Sequence, residues 1–453
     1  MKIKPTTIAT LVTLVLLTGV LEGAASPSSA PAGVSGGTSQ KVSSATTYYV
    51  SDAGNDDNAG TSEKSPWKSL SRLNVAVLSP GDRVSLRRGD TWNGGLLVGQ
   101  SGAEGAPITV TGYGTGEPPT IVGGYSGDCV RIQGSHVIVD GLRAAGCGYA
   151  GFSVDGDRNV VTNSVAEDNA AGIKVGGGSD FGRYTNNRLA NNNVMNVNTK
   201  GSGCGAAGGT GCNDDSGAFG VLINGNDNEF SGNIITGSTA PSHDFIQDGS
   251  AFEIFNGSRN NIHHNRALDN NVFSEIGRSA GKADGNTFSY NLVRATCGAG
   301  CAKTTGLIVR GPNSSFGPTY GTVFEHNTVL LDGPDSKAVV CYGSCPASTV
   351  IRGNILVAVR NSLWMDGSGW TERQNVLNGP SNVALDGSST KAPAGFVDAP
   401  SDLRLTATSP AIDLAGASPF GADLEGRPAV QNGGCARNQI PDAGAYEYSP
   451  PGC

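Results

Sequence analysis

Val160-Val161-Thr162-Asn163-Ser164-Val165, Phe230-Ser231-Gly232-Asn233-Ile234-Ile235 and Phe288-Ser289-Tyr290-Asn291-Leu292-Val293 are versions of one segment, an apolar start, a polar bend carrying asparagine, and an apolar continuation. It returns as Ile262-His263-His264-Asn265-Arg266-Ala267, Phe324-Glu325-His326-Asn327-Thr328-Val329 and Val350-Ile351-Arg352-Gly353-Asn354-Ile355, and Asp140, Asn187 and Asn375 extend the series. Asp140, Asn163 and Asn187 are 23 and 24 residues apart, and Asn354 and Asn375 are 21 apart. Longer intervals hold Gly-rich or cysteine-bearing insertions. A period in the low twenties, built from short β-type segments and Gly or Asn turns, predicts an all-β parallel β-helix, one coil per repeat. A leucine-rich repeat would need a Leu grid that is absent, and a sandwich gives no reason for one asparagine per coil. Stacked at a bend, such asparagines satisfy one another's amides in a buried column. Parallel crossovers are right-handed by rule, so a right-handed coil is expected.

Open solenoid ends need covers. Ser65-Pro66-Trp67-Lys68-Ser69-Leu70 predicts an N-terminal cap helix running to Val77, with Trp67, Leu70, Leu73 and Val77 plugging the first coil. Ser409-Pro410-Ala411-Ile412-Asp413 and Pro441-Asp442-Ala443-Gly444-Ala445-Tyr446-Glu447 predict an irregular C-terminal cap. A single capped domain over 46–453 is expected.

Charged residues are only 15% of the 453-residue chain and 37% are hydrophobic, which excludes wholesale disorder. A net charge of −8 without Lys/Arg runs disfavours nucleic acid as a partner. Lys2 and Lys4, an apolar run from Ile8 to Leu21 and small residues to Ala25 read as a secretory signal over 1–25, followed by a flexible Ser/Gly/Ala-rich leader over 26–45. The expectation is a secreted protein with no membrane association after signal cleavage, and a monomer. In an oxidising compartment the ten cysteines predict five local disulfides: Cys129–Cys147, Cys204–Cys212, Cys297–Cys301, Cys341–Cys345 and Cys435–Cys453.

The segments Tyr49-Val50-Ser51-Asp52-Ala53-Gly54-Asn55-Asp56-Asp57-Asn58-Ala59-Gly60-Thr61, Pro66-Trp67-Lys68-Ser69-Leu70 and Pro80-Gly81-Asp82, with the two C-terminal segments and the repeats, resemble the secreted right-handed parallel β-helix proteins of the pectate-lyase-like superfamily. The resemblance covers nearly all of the chain after the leader. It implies a carbohydrate partner, a polysaccharide or oligosaccharide. It does not choose among polysaccharide lyases, glycoside hydrolases, uronan epimerases and non-catalytic surface proteins.

Chemistry is sought in charged residues that leave the strands outward. Burying Phe252 and Ile254 turns Glu253 out, and burying Ser274 and Ile276 turns Glu275 out. The two are 22 residues apart, one coil, so their carboxylates should stack on neighbouring strands and split their pKa values into a proton donor and an anion. That is the equipment of a glycoside hydrolase, the leading expectation, which requires no cofactor. Asp215, in a disulfide-bearing loop, is a third catalytic candidate, and Asp214 beside it a candidate for substrate binding. Lys174 and Arg310 are candidate substrate cations, with Lys282 and Lys303 less placed; His243, Asp244 and Asp248 form a candidate lip. Trp364 is a sugar-stacking candidate, as are Tyr184, Phe219, Phe255, Phe273 and Trp370. Asp244, Asp248 and Asp269 offer oxygen ligands for a possible Ca²⁺. The alternatives are a calcium-assisted lyase or epimerase, and a carbohydrate-binding surface protein without activity.

Overall fold

The computed structural model describes residues 45–123, 127–200, 215–429 and 440–450. The expected signal and most of the leader, Asp214, and the pairs Cys204–Cys212 and Cys435–Cys453 lie outside the described residues. From Ala45 onward the chain forms one unit. Three large sheets, of 12, 10 and 12 strands, run its length, and every strand in them pairs in parallel with the strand one coil away. They support the right-handed β-helix expected from the repeats.

The repeats build this because each coil supplies three short apolar strands whose inward residues meet at the axis. Tyr184 stacks on Phe230 at 4.8 Å, and Phe230, Phe252, Phe273, Phe288 and Phe324 continue the column with centroid spacings of 5.7 to 6.1 Å. Tyr184 and Phe273 are therefore core residues and not outer sugar platforms.

The asparagine column exists, shifted at its start. Asn187, Asn233, Asn265, Asn291, Asn327, Asn354 and Asn375 are buried, and each Nδ2 but the last donates to the next Oδ1 at 2.9–3.1 Å. Ser164 occupies the place expected for Asn163, whose φ of 50° puts it at the left-handed bend one residue earlier, where it bonds Asp140. Asn228, Asn260 and Asn286 form a second column at another bend. Among the described residues the disulfides Cys129–Cys147, Cys297–Cys301 and Cys341–Cys345 are formed.

The N-terminal cap helix is not present. Among the described residues no helix reaches seven residues, and the expected one is a single turn, Leu70–Asn74, capped by Ser69. The reason lies in Asp56, whose carboxylate takes the amides of Lys68 and Ser69 and the Ser69 hydroxyl, while Trp67 pairs its backbone with Tyr49 and Ser51. These bonds hold the residues before Leu70 extended. Trp67, Leu70 and Leu73 still bury themselves in the core, whereas Val77 is 79% exposed. At the other end the chain runs back along the side of the coil: Ser418 accepts from Tyr290 Oη at 2.6 Å, His264 Nε2 lies 3.0 Å from the Ala422 carbonyl, and Ala445 N–H reaches Thr328. Among the described residues no helix is long and apolar enough to cross a membrane.

Candidate functional site

The ten-stranded wall carries one continuous outward row. In register it reads Leu97, Arg131, Ser153, Lys174, Leu222, Glu253, Glu275, Ile308, Val340 and Trp364. Glu253 sits in Ser250–Phe255 and Glu275 in Val272–Gly277, directly opposite each other, so their backbones are about 4.8 Å apart. Their strand neighbours Phe252, Ile254, Ser274 and Ile276 are fully buried, which is what forces the two carboxyls to the outer face.

The environments of the two differ. Glu253 accepts a hydrogen bond from Ser250 Oγ at 3.0 Å, and burial, then the charges of Glu275 and Asp248, push its pKa well above the usual carboxylate range. Glu275 is ion-paired to Arg310 Nη2, and Arg310 in turn lies over the Phe316 ring at 5.8 Å. The pair thus places a carboxyl that favours its proton beside a carboxylate matched to a guanidinium.

A lip stands over this part of the wall. Ala240–Ser242 and Ile246–Asp248 make an antiparallel hairpin, and Met195–Val197 pairs with Ser216–Gly217 in a second one. Asn198 ties them together, donating to the Pro241 carbonyl and accepting from the His243 backbone amide, each at 3.0 Å. Asp215 Oδ2 accepts from Ser242 Oγ at 2.6 Å and from the Asp244 amide at 3.1 Å, while the Asp215 amide donates to Asp244 Oδ2. Asp248, at the hairpin's return, has its pKa pushed up to about 6 by burial, against a hydrogen bond from the Gly249 amide and with help from Glu275, Asp215 and Asp244. The acids of the lip and of the wall therefore share one electrostatic neighbourhood.

No protein-family model matches the chain. Over 98 residues, 20% of this chain and 6% of the relative, it is 45% identical to a lacto-N-biosidase of Bifidobacterium longum subsp. longum. Pectate lyase Pel9A superposes with a TM-score of 0.56 at 17% identity, over 90% of this chain and 97% of that one. The GH136 lacto-N-biosidase of Eubacterium ramulus superposes with a TM-score of 0.54 at 15% identity, over 76% of this chain and 67% of that one. The chain has the pectate-lyase-like parallel β-helix fold.

On this β-helix the remaining candidates fall as follows. Lys174 is on the same row as the glutamates, two strands from Glu253, with its ammonium 5.5 Å from the Tyr149 ring centroid. Trp364 is also on the row, 36% exposed, three strands beyond Glu275. Asp269 is occupied elsewhere, accepting from the Thr296 amide at 3.1 Å and facing Arg294. Among the described residues the group that brings three possible metal ligands together is Asp269 with Cys297 and Cys301, and those two cysteines are joined to each other. Sequence reasoning did not find Phe316 under Arg310 or the bond from Ser250 to Glu253. Ser250 was within reach, since it opens the strand that carries Glu253.

Proposed function

We propose that the ten-stranded wall is the active face of a secreted enzyme that cleaves glycans, and that it does so by hydrolysis at Glu253 and Glu275. The observation that carries this is the in-register pair with unlike partners, Ser250 on one carboxyl and Arg310 on the other. Glu253, inclined to keep its proton, donates it to the glycosidic oxygen as the bond breaks. Glu275 attacks the anomeric carbon, and Glu253, now a base, activates the water that releases the sugar. Carboxyl groups carried on strands about 4.8 Å apart accord with the ~5–5.5 Å separation of retaining enzymes better than with the wider one of inverting enzymes. The likeness of one short stretch to a lacto-N-biosidase accords with this reading.

Elimination is the second reading, and the overall comparisons lean toward it at least as strongly, because Pel9A covers more of both chains than the lacto-N-biosidase structure does. A lyase needs a base at C5 and positive charge on the uronate carboxylate. Lys174 is the base candidate on the row. If Ca²⁺ supplies the charge, Asp215, Asp244 and Asp248 fit it: Asp215 Oδ1 is buried with no hydrogen bond among the described residues, and Asp248 feels both other acids. Calcium bound there would supply charge neutralisation and nothing else to this chain's chemistry.

The deciding experiment incubates the purified protein with neutral and uronate glycans. New reducing ends with the starting anomeric configuration, lost in Glu253→Gln and in Glu275→Gln, support hydrolysis. Ultraviolet absorbance of an unsaturated uronate, abolished by a chelator and in Lys174→Met, moves the assignment to elimination. Binding without product, unaltered by the Gln substitutions, leaves a carbohydrate-binding protein.

A further inference from the structure

The wall is not equally open on the two sides of the glutamate pair. Beyond Glu275 the outward row passes to Ile308 and then to Val340. Val340 faces out by register, since its neighbours Val339 and Cys341 belong to the core, yet its exposure is 0%. Val340 lies between its register neighbours Ile308 and Trp364, on a strand, Lys337–Tyr342, whose two ends touch. Lys337 Nζ donates to Tyr342 Oη at 2.9 Å, with the ammonium 5.6 Å from that ring's centroid, so the first and last side chains of the strand meet tip to tip. Tyr342 is also in register with Arg310, the partner of Glu275. An arch therefore crosses the wall two strands past Glu275, roughly 10 Å away at about 4.8 Å per strand. Only the width of the Ile308 strand is left between pair and arch.

On the other side, among the described residues, the row stays partly exposed for two strands before it reaches Ser153, which is buried. Leu222 and Lys174 follow Glu253 and are partly exposed, as is Tyr149, which with Leu222 packs over the buried Ala150, Ala171 and Phe219. A glycan can continue over Leu222 and Tyr149, with sugar faces on those side chains and hydroxyls or acid groups at Lys174.

We infer that the Lys337–Tyr342 arch stops the glycan, so that the pair cuts at a chain end and releases one sugar unit, or two at most, from the Ile308 side. This rests on the glycan-cleaving reading of the wall and adds to it the mode of attack. Lys337 and Tyr342 act as specificity-determining residues that take no part in bond cleavage. They also leave Trp364 beyond the arch, outside the pocket of the pair.

The test follows product size and viscosity together on xylan, polygalacturonate and alginate. The wild type is expected to release mono- or disaccharide from the first time point, with viscosity lagging behind bond cleavage. Lys337→Ala with Tyr342→Ala is expected to add longer products and to lower viscosity earlier at equal bond cleavage. Should that double variant not fold, Tyr342→Phe keeps the ring, loses the bridge, and is expected to shift products the same way more weakly. Mixed long oligosaccharides and an early viscosity drop from the wild type overturn the inference, as do unaltered product sizes in a folded arch variant. No product from any glycan overturns the cleavage reading and this inference with it.

Discussion

Asn291→Ala is the sharpest test of what holds the coils in register. Asn291 is fully buried; its Oδ1 accepts from Asn265 N at 3.1 Å and Asn265 Nδ2 at 3.0 Å, and its Nδ2 donates to the Ile262 carbonyl at 2.9 Å and to Asn327 Oδ1 at 3.0 Å. Alanine deletes all four bonds, but the losses are not equal. Asn327 Oδ1 keeps the backbone amide of position 291, and Asn265 Nδ2 keeps the carbonyls of Phe230 and His263. What is orphaned is the Asn265 backbone N–H, and what is weakened is the Ile262 carbonyl. At ~1–3 kcal/mol per buried group left unpaired, the expected loss is about 2–5 kcal/mol. Asn291→Asp separates the halves of the interaction. It keeps the two accepted bonds but aims a carboxylate at the Ile262 carbonyl and Asn327 Oδ1, both acceptors, so its folded-state pKa rises. An acid raised on folding contributes full stability below its unfolded pKa and loses it as pH rises through the folded value. The Asp variant should therefore approach wild type near pH 4 and fall below the Ala variant near pH 8. Urea unfolding followed by tryptophan fluorescence at both pH values is the assay. An Ala variant within about 0.5 kcal/mol of wild type, or an Asp variant whose midpoint ignores pH, would refute the column as a load on stability.

With an aryl glycoside whose leaving group needs no proton, Glu253→Gln should recover most of a ~10²–10⁴-fold deficit seen on natural glycans, whereas Glu275→Gln should not; equal defects on both substrates would refute the assigned roles. Wild-type hydrolysis should fall off on the alkaline side at a pH above the ordinary carboxylate range, because the proton donor Glu253 is raised by burial, by Glu275 and by Asp248, and a pH profile shows this directly. Glu447, pushed up to about 9 by burial and by Asp442, should contribute stability that is complete below its unfolded pKa and lost as pH climbs toward 9. Thermal melts of Glu447→Gln should accordingly gain on wild type at pH 8 and not at pH 4.5, and a pH-independent difference counts against it. Leu73→Ala, in the plug of the first coil, should cost ~2–5 kcal/mol by the same urea assay, and a negligible change would mean the plug is not packed as described.

The architecture was legible because its stabilising device repeats in the sequence. One asparagine per coil has no purpose on a surface strand, and its period is the length of a coil. The second column was equally open to reading, since Asn228, Asn260 and Asn286 each precede a member of the first column by five residues. The error at Asn163 came from treating every asparagine in the segment as equivalent, when the bend has two polar places. One wants a left-handed φ, filled by Asn163, Gly232, His264 or Tyr290, and the next wants a buried amide. The missing cap helix has a different origin. Helical spacing of Trp67, Leu70 and Leu73 was real and all three are buried, but Asp56, eleven residues upstream of Trp67, captures the backbone that the helix would have used. Side-chain capture of amides at that separation leaves no periodic trace.

The site was legible only where strict alternation holds, and the wall strands break alternation at their start. Ser250 and Glu253 are three apart and should face opposite ways, yet they share a hydrogen bond on the outer face. Between them Ala251 and Phe252 both belong to the core, as do Ala338 and Val339 at the same kink in their own strand. Its first inward place is held by Gly151, Gly172, Gly220, Ala251, Gly306 and Ala338, because a Cβ at Gly220 would lie 2.5 Å from Ile235 Cγ2 and one at Gly172 would lie 2.6 Å from the Gly220 carbonyl. Alternation counted from the apolar end of the strand, where Glu253 and Glu275 lie, avoids the kink. Counting across it reverses the face, which is why Lys337 and Tyr342, five apart, read as opposed and are in contact. A small residue at the second position of these strands is thus a sequence mark for two consecutive inward residues, a mark that Val272–Gly277, with Phe273 in that place, does not carry. Applied to the strands that carry it, it puts the first residue, Ser250 and Lys337 included, on the same outer face as the glutamates.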